Sequence, residues 1–294
     1  MAHIVNLAQK CDLCGSLDYE VLRSSPSVET DTNFAFAGST AKLTQELLRC
    51  IECSLIQTRR MMNNEELMKG YESNADEIHD SQFYLRCKTF LKAMKKLFHE
   101  LDVQQLHGKT MIDIGCSSGA ILCASKSLGI NAVGVEPSES LVNRGRARGL
   151  VIHKGALPDP KFKNRSFSFV SSWDVIEHVV SPRKFMECLK ELCAPDTLLI
   201  INTPNYDSWQ RKLLREYWPF FLEVHLFYFT PATLTKLLRE FDFEVEFIGN
   251  HLQCLELGYL IQRYFPKMEI PKKVSRIPIW YSMGQMSVVA KVPR

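Results

Sequence analysis

The stretch Thr110-Met-Ile-Asp-Ile-Gly-Cys-Ser-Ser-Gly119 decides the fold of this chain. Its apolar start is typical of a buried strand, and Gly115 allows a tight backbone turn into a helix. A second short strand, Val133-Gly-Val-Glu136, follows and ends in a carboxylate. This order is typical of a nucleoside-binding site on a parallel α/β sheet, in which the Glu136 carboxylate would accept hydrogen bonds from ribose hydroxyls.

These residues indicate S-adenosylmethionine rather than a dinucleotide as the ligand. Ser117 stands where a dinucleotide-binding turn has its second glycine. Asp113 would lie unfavourably beside a pyrophosphate, whereas it suits a ligand with an ammonium group. A ribose joined to an amino acid is what S-adenosylmethionine offers. The alternative is an ordinary turn between a strand and a helix that binds no ligand.

The composition is that of a globular protein, with 294 residues, 46% of them hydrophobic and 23% charged. A net charge of +3 gives no general argument for nucleic-acid binding. We find no apolar run of membrane-spanning length and no secretory signal at the start of the chain. Most of the ten cysteines are scattered in apolar or helical contexts. We therefore expect a reducing, cytoplasmic location.

Two C-x-x-C pairs occur near the N-terminus, Cys11 with Cys14 and Cys50 with Cys53. Two residues between cysteines allow a tight turn that points both sulfurs at one metal ion. Four thiolates complete the tetrahedral coordination of zinc, which predicts a structural site without an open position. The alternatives are a redox pair of the thioredoxin type and coincidental free thiols. Zinc is favoured because redox pairs rarely occur doubled.

Strands and helices alternate along the second part of the chain, which predicts a doubly wound parallel α/β sheet. A helical region is predicted from about residue 63 to residue 106, and further helices begin after Ser138, Ser181 and Thr230. The predicted strands are 110–114, 132–136, 150–153, 167–172, 197–202, 243–248 and 285–292.

Four motifs in order resemble those of class I S-adenosylmethionine-dependent methyltransferases. They are Asp113–Gly119, Val135-Glu136, Trp173-Asp-Val-Ile-Glu-His178 and Ile201-Asn-Thr-Pro-Asn205. Within that class, His225-Leu-Phe-Tyr-Phe-Thr230 is similar to the H-L-x-x-F-T segment of a group that also carries the E-H pair and T-P-N. The cysteine pairs resemble those of methyltransferases from sugar and natural-product pathways that bear a zinc-binding head.

The resemblance implies a Rossmann-like, seven-stranded class I methyltransferase fold with a small zinc-ribbon-like N-terminal domain. We therefore predict a zinc-binding head at residues 1–58, a helical linker region at 59–106 and an S-adenosylmethionine-binding methyltransferase domain at 107–294. Gly155-Ala156 stands where many relatives have an acidic residue near the adenine, so backbone groups and Ala156 or Leu157 take that role. The implied cofactor-binding residues are Asp113, Gly115, Cys116, Gly119, Glu136, Pro137, Ala156, Leu157, Trp173 and Asp174.

For an oxygen acceptor the enzyme must also remove a proton, and histidine is a suitable general base. The resemblance places His225 and His178 at the active site, with Tyr228 reaching in from the segment that contains His225. The alternative is structural: His178 could cap a helix or hold a loop, and His225 could orient the backbone. The aromatic segment 217–229 predicts either core packing or a substrate wall.

Three functions remain open at this point. The first is methyl transfer to a small molecule, such as a sugar or another metabolite, at oxygen. The second is methylation of a nucleic acid with the zinc head as a binding module, against which the compact basic groups are few. The third is a non-catalytic scaffold, against which Asp113, Gly115 and Glu136 are all present.

Overall fold

The computed structural model describes residues 4–6, 10–23, 46–59, 80–264, 268 and 270–294. Of the predicted helical linker region, residues 60–79 lie outside the described residues, as do residues 24–45 of the predicted head. Within the described part of the chain, no helix has the length and apolar character needed to cross a membrane.

The elements alternate strand and helix from residue 110 onward. The strands are β1 (Ile4–Asn6), β2 (Asp18–Arg23), β3 (Leu47–Cys50), β4 (Ile56–Thr58), β5 (Thr110–Ile114), β6 (Asn131–Glu136), β7 (Ile152–Lys154), β8 (Phe167–Trp173), β9 (Cys193–Pro204), β10 (Phe227–Tyr228), β11 (Glu244–Asn250), β12 (Gln253–Glu256), β13 (Pro278–Tyr281) and β14 (Gln285–Lys291). The helices are α1 (Phe83–Glu100), α2 (Ala120–Ser127), α3 (Glu139–Ala147), α4 (Pro182–Glu191), α5 (Trp209–Leu214), α6 (Pro231–Glu240), α7 (Leu257–Tyr264) and α8 (Lys272–Ser275).

The large sheet has seven strands in the order β11-β14-β9-β8-β5-β6-β7. Strands β5 to β9 run parallel to one another, whereas β14 runs antiparallel to both β9 and β11. The prediction of a doubly wound, seven-stranded sheet is confirmed. The carboxyl ends of β5, β6, β8 and β9 meet at one edge, where ligands bind in such sheets.

Local sequence explains where the helices begin. Ser181 caps α4 by accepting a hydrogen bond from the Lys184 amide, and Thr230 forms a capping box with Thr233 at the start of α6. Ser138 precedes α3, but its hydroxyl makes no capping bond. Its backbone amide donates to Glu136 instead. Ser138, which the sequence predicts at the start of this helix, therefore contributes to the candidate site.

A smaller antiparallel sheet has the order β1-β2-β3-β4-β10. Its last strand comes from the region after β9, with Tyr228 paired to Ile56 and the Thr58 amide donating to the Leu226 carbonyl. One hydrophobic cluster continues from this sheet into the large one, and it includes Tyr19, Leu48, Leu55, Ile201, Leu226 and Leu234. The head thus packs on the large sheet through a shared core.

A hairpin of β12 and β13 packs beside α1. The Thr89 hydroxyl accepts a hydrogen bond from the Cys254 amide, and the Gln82 side chain accepts one from the Glu256 amide. These bonds join the hairpin to the helix that precedes the large sheet. They place α1 between the hairpin and α2, which also contacts it.

Candidate functional site

The turn that follows β5 carries the first residues of the candidate site. Gly115 and Gly119 have φ of 76° and 87°, in the left-handed region where glycine carries no steric penalty. A Cβ at Gly115 would collide with the Val175 side chain, so no larger residue fits there. Ser117 also takes a left-handed φ of 52°. The serine in place of a glycine therefore keeps the turn tight.

Glu136 lies buried at the end of β6. One carboxylate oxygen accepts a hydrogen bond of 2.9 Å from the Ser117 amide, and the other accepts one of 2.9 Å from the Ser138 amide. Burial raises the pKa of Glu136, while the two amides oppose that shift. A carboxylate oxygen has more than one lone pair, so these bonds leave capacity to accept ribose hydroxyls.

Asp113 lies buried at the centre of the sheet, and the Ser171 hydroxyl donates to it. Burial raises the pKa of Asp113 to about 8, while Ser171 and the nearby Arg86 cation oppose that shift. Burial also raises the pKa of Glu136 and of Asp174, and the same Arg86 charge opposes that rise in each. The Arg86 cation of α1 therefore lies near enough to the carboxylates of the site for its charge to act on them.

Sequence reasoning missed Arg86, which it assigned to the helical linker. An arginine in a helix rich in basic residues carries no local signal of a binding role. Only the packing of α1 against the site brings the guanidinium near the three carboxyls.

Trp173 is the last residue of β8, and Asp174 follows it. Trp173 is buried between Phe90 and His251, with ring centroids 5.1 Å and 5.3 Å away. Asp174 is half-buried and accepts a hydrogen bond of 2.6 Å from the Gln285 amide group. Burial raises the pKa of Asp174 to about 6, with the Gln285 hydrogen bond opposing the shift. Gln285 is a site neighbour that sequence reasoning did not name.

The other predicted cofactor residues differ in exposure. The Cys116 side chain is buried against Gly134, which has no room for a Cβ there. Ala156 is exposed, and Leu157 packs in part against the main core cluster. Pro137 lies between Glu136 and the start of α3 and is half-buried. Their role in binding the adenine stays a prediction.

His178 and His225 lie together, with ring centroids 4.6 Å apart. His178 Nδ1 lies 3.0 Å from the Val224 carbonyl oxygen, and because a carbonyl only accepts, this nitrogen carries the hydrogen. Its Nε2 is then the nitrogen with a lone pair. Burial lowers the pKa of His178 to about 4. His225 is 3% exposed and stacks near Phe220.

Tyr228 lies deeper than the two histidines. Its hydroxyl donates to the Leu222 carbonyl over 3.5 Å, and its ring packs among Tyr206, Trp218 and Phe221. Burial raises the pKa of Tyr228 well above its usual range. The arrangement makes Tyr228 a support for the neighbouring His225 ring, 6.1 Å away between centroids. A catalytic role for its hydroxyl stays a prediction.

The four predicted metal-binding cysteines also lie together, with sulfur atoms within 4.8 Å of one another. Both pairs form the same turn: the Gly15 amide donates to the Cys11 carbonyl, and the Ser54 amide donates to the Cys50 carbonyl. Gly15 and Ser54 both have positive φ. Four sulfurs in two equivalent turns fit the tetrahedral coordination of zinc.

A family profile described as a methyltransferase domain matches residues 86–247. A ubiquinone biosynthesis O-methyltransferase from Glaesserella parasuis is 23% identical over 223 residues, which cover 69% of this chain and 94% of that relative. A protein of the same name from Rhodopseudomonas palustris is 27% identical over 124 residues, 40% of this chain. The match spans only 47% of that second relative, about half its length.

A solved structure has the same fold. It is an S-adenosylmethionine-dependent methyltransferase from Thermotoga maritima, described as a possible histamine N-methyltransferase, with 20% identity and a TM-score of 0.53. The similarity covers 78% of this chain and 100% of that one. Because the family profile spans more than half of the sequence, the chain belongs to the methyltransferase-domain family and has the class I fold of S-adenosylmethionine-dependent methyltransferases.

Proposed function

We propose that this protein transfers a methyl group from S-adenosylmethionine to an oxygen atom of a small molecule. The observation that carries the proposal is the contact of the His178 and His225 rings beside the buried Glu177 carboxylate, after the carboxyl end of β8. The names of the two curated relatives, both O-methyltransferases, agree with an oxygen acceptor.

The cofactor half of the site supplies one partner for each polar part of S-adenosylmethionine. Glu136 accepts the ribose hydroxyls, and Asp113 holds the ammonium group. Arg86 binds the carboxylate of the methionine part, because its charge already acts on this pocket. When bound, the cofactor provides a sulfonium methyl group, which is a strong electrophile. The chain's own task is then to place the acceptor in line and exclude water.

The acceptor half contains Glu177, His178 and His225. An acceptor hydroxyl loses its proton as its oxygen attacks, and these three side chains, which lie together, can accept it. An aromatic cluster with Trp218, Phe221 and Tyr228 adjoins this half through the Tyr228 ring, whose centroid lies 6.1 Å from that of His225. Such a surface suits the ring of a sugar or another metabolite.

The structure offers little support for nucleic acid as the substrate. Arg144 and Arg148 form ion pairs with Asp80 at 3.1 Å and 2.9 Å, and Arg146 donates to the Ile152 carbonyl. The most compact basic group of the chain is therefore engaged internally. A basic surface that binds phosphates needs cations facing the solvent.

A methyl-transfer assay tests the proposal. The purified chain is incubated with S-adenosylmethionine and a panel of phenols, sugars and matched amines, and the products are identified by mass spectrometry. We expect O-methyl ethers and one S-adenosylhomocysteine for each ether. Glu136→Ala is the control, because losing charge-assisted hydrogen bonds weakens cofactor binding by about 1–3 kcal/mol. Methylation of amines alone would contradict the oxygen acceptor.

Cofactor affinity should depend on pH through Asp113. The cofactor ammonium binds the carboxylate form, and the raised pKa of about 8 keeps Asp113 protonated at lower pH in the free protein. Calorimetry with S-adenosylmethionine should show affinity rising from about pH 6 to about pH 8, by at most about tenfold per pH unit. Asp113→Asn should remove this dependence. If cofactor affinity changes with pH equally in Asp113→Asn and in the wild type, a group other than Asp113 causes the dependence.

We also propose that Cys11, Cys14, Cys50 and Cys53 hold one structural zinc ion. The equivalent turns and the clustered sulfurs support this assignment. With four thiolates the ion has no open position for substrate. Cys11 and Cys14 flank Asp12, so the metal-binding turn also positions Asp12. The Asp12 carboxylate accepts hydrogen bonds from the Ser181 hydroxyl and from the Arg183 amide at the start of α4.

A further inference from the structure

A second group of metal-ligand side chains lies in the acceptor half of the site. Each of Glu177, His178 and His225 offers one ligand atom, and these three atoms lie within 4.8 Å of one another. The three come from two segments, the turn after β8 and the loop before β10. The Leu226 amide donates to the Glu177 carbonyl at 2.8 Å, which joins the segments. The backbone therefore holds the three side chains in place without a ligand.

Glu177 is 1% exposed, and only one of its carboxylate oxygens has a protein partner. The Thr203 hydroxyl donates to Oε2 at 3.0 Å, while Oε1 is buried without a hydrogen bond. Among the described residues no lysine or arginine is paired with Glu177, and the charge that acts on it is the Asp174 carboxylate. Burying a carboxylate oxygen without a hydrogen bond or a cation is unfavourable. A bound cation would supply the partner that Oε1 lacks.

His178 is oriented in the manner of a metal-binding imidazole. Its Nδ1–H donates to the Val224 carbonyl, which fixes the ring and leaves Nε2 as the coordinating atom. Metal-binding histidines commonly donate their second N–H to a backbone carbonyl or a carboxylate. Glu177 has the corresponding support from Thr203. Both the oxygen and the nitrogen ligand are thus held by a second residue.

We propose that Glu177, His178 and His225 bind one divalent transition-metal cation, which in turn binds the acceptor hydroxyl. Two imidazoles and one carboxylate suit cations such as Zn²⁺, Mn²⁺ or Fe²⁺, and they leave coordination positions open. The site is separate from the four-cysteine cluster, whose soft thiolates occupy all positions of a tetrahedral ion.

This role rests on the proposed methyl transfer to oxygen. A bound cation lowers the pKa of a coordinated hydroxyl, so its O–H bond breaks and the proton passes to solvent water. The cation-bound oxygen then forms the new bond to the methyl carbon as the carbon–sulfur bond breaks. S-adenosylhomocysteine leaves as a neutral thioether. The preferred substrates are therefore molecules with an acidic hydroxyl or two adjacent hydroxyls that can chelate.

Manganese binding tests the site independently of activity. Mn²⁺ prefers oxygen and nitrogen ligands over thiolates, so it reports on this cluster in a chain whose cysteines carry zinc. Electron paramagnetic resonance of the full chain titrated with Mn²⁺ should show one bound ion per chain. Glu177→Gln and His225→Gln should each weaken binding more than tenfold. His251→Gln, a buried histidine outside the cluster, is the matched control and should bind as the wild type does.

Thermal unfolding and S-adenosylhomocysteine calorimetry of each variant show whether the fold and the cofactor half are intact. Absence of Mn²⁺ and Co²⁺ binding in the wild type, or equal binding in the cluster variants, would overturn the cation site. Methyl transfer that is unchanged after chelation of this ion would overturn its role with the acceptor. Metal binding without methylation of any hydroxyl would leave the cation site standing and reject the proposed function instead.

Discussion

Cys50→Ser is expected to destabilise the whole chain, by at least about 4 kcal/mol, the size typical of losing a structural metal. Cys50 ends β3, and β3 pairs with β4, which pairs with β10 of the catalytic region. The head and the large sheet also share one hydrophobic cluster. Thermal unfolding should therefore shift as a single transition, with zinc content measured alongside.

Cys188→Ser provides the matched control, because Cys188 is a half-buried thiol of α4 outside the metal cluster. We expect its unfolding midpoint to stay close to that of the wild type and its zinc content to remain about one per chain. Should Cys50→Ser lose zinc and melt in two steps, with the second step unchanged, the head would be an independent unit. Unchanged stability of the wild type in a strong chelator would reject the structural zinc.

His225→Ala is expected to reduce turnover about 10²–10⁴-fold while leaving cofactor affinity nearly intact. The expectation follows from its place in the acceptor half, where His225 lies beside His178 and Glu177. The His225 imidazole either accepts the proton of the acceptor hydroxyl or binds a cation that lowers the pKa of that hydroxyl. In both cases its loss prevents the acceptor oxygen from being deprotonated. Turnover is measured at saturating S-adenosylmethionine, and affinity is measured by calorimetry with S-adenosylhomocysteine.

His225 is buried, so its removal also leaves a cavity beside Phe220 and Tyr228. The His225→Gln variant fills much of that volume and separates lost packing from lost chemistry. His99→Gln, on the exposed last turn of α1, is the activity control. A His225→Ala variant that loses cofactor binding and stability together would assign the residue a structural role. His178 would then be the first residue to test as the proton acceptor.

The methyltransferase fold was predictable because its elements follow from local patterns. The predicted strand 110–114 is β5 as found, and 167–172 differs from β8 by one residue. Apolar runs and caps such as Thr230 depend on neighbours along the chain, so the sequence shows them directly. The predicted strand 197–202 is shorter than β9, Cys193–Pro204, because the ends of β9 contain Pro195 and Pro204, which oppose a strand prediction, and join the sheet through pairing with β8 and β14.

The site was predictable only in part. The sequence by itself determined the strand–turn–helix elements that carry Asp113 and Glu136, the two equivalent cysteine turns and the order of the motifs. Tertiary structure alone decided that the Arg86 charge acts on the carboxylates, that the Glu177 side chain lies beside both histidines, and that β10 completes the sheet of the head. The physical reason is range: the apolar pattern of a strand and the hydrogen bonds of a helix cap involve residues that are close together in the chain. Asp12 and Ser181, in contrast, meet across 169 positions of chain, and such contacts depend on how the sheets pack.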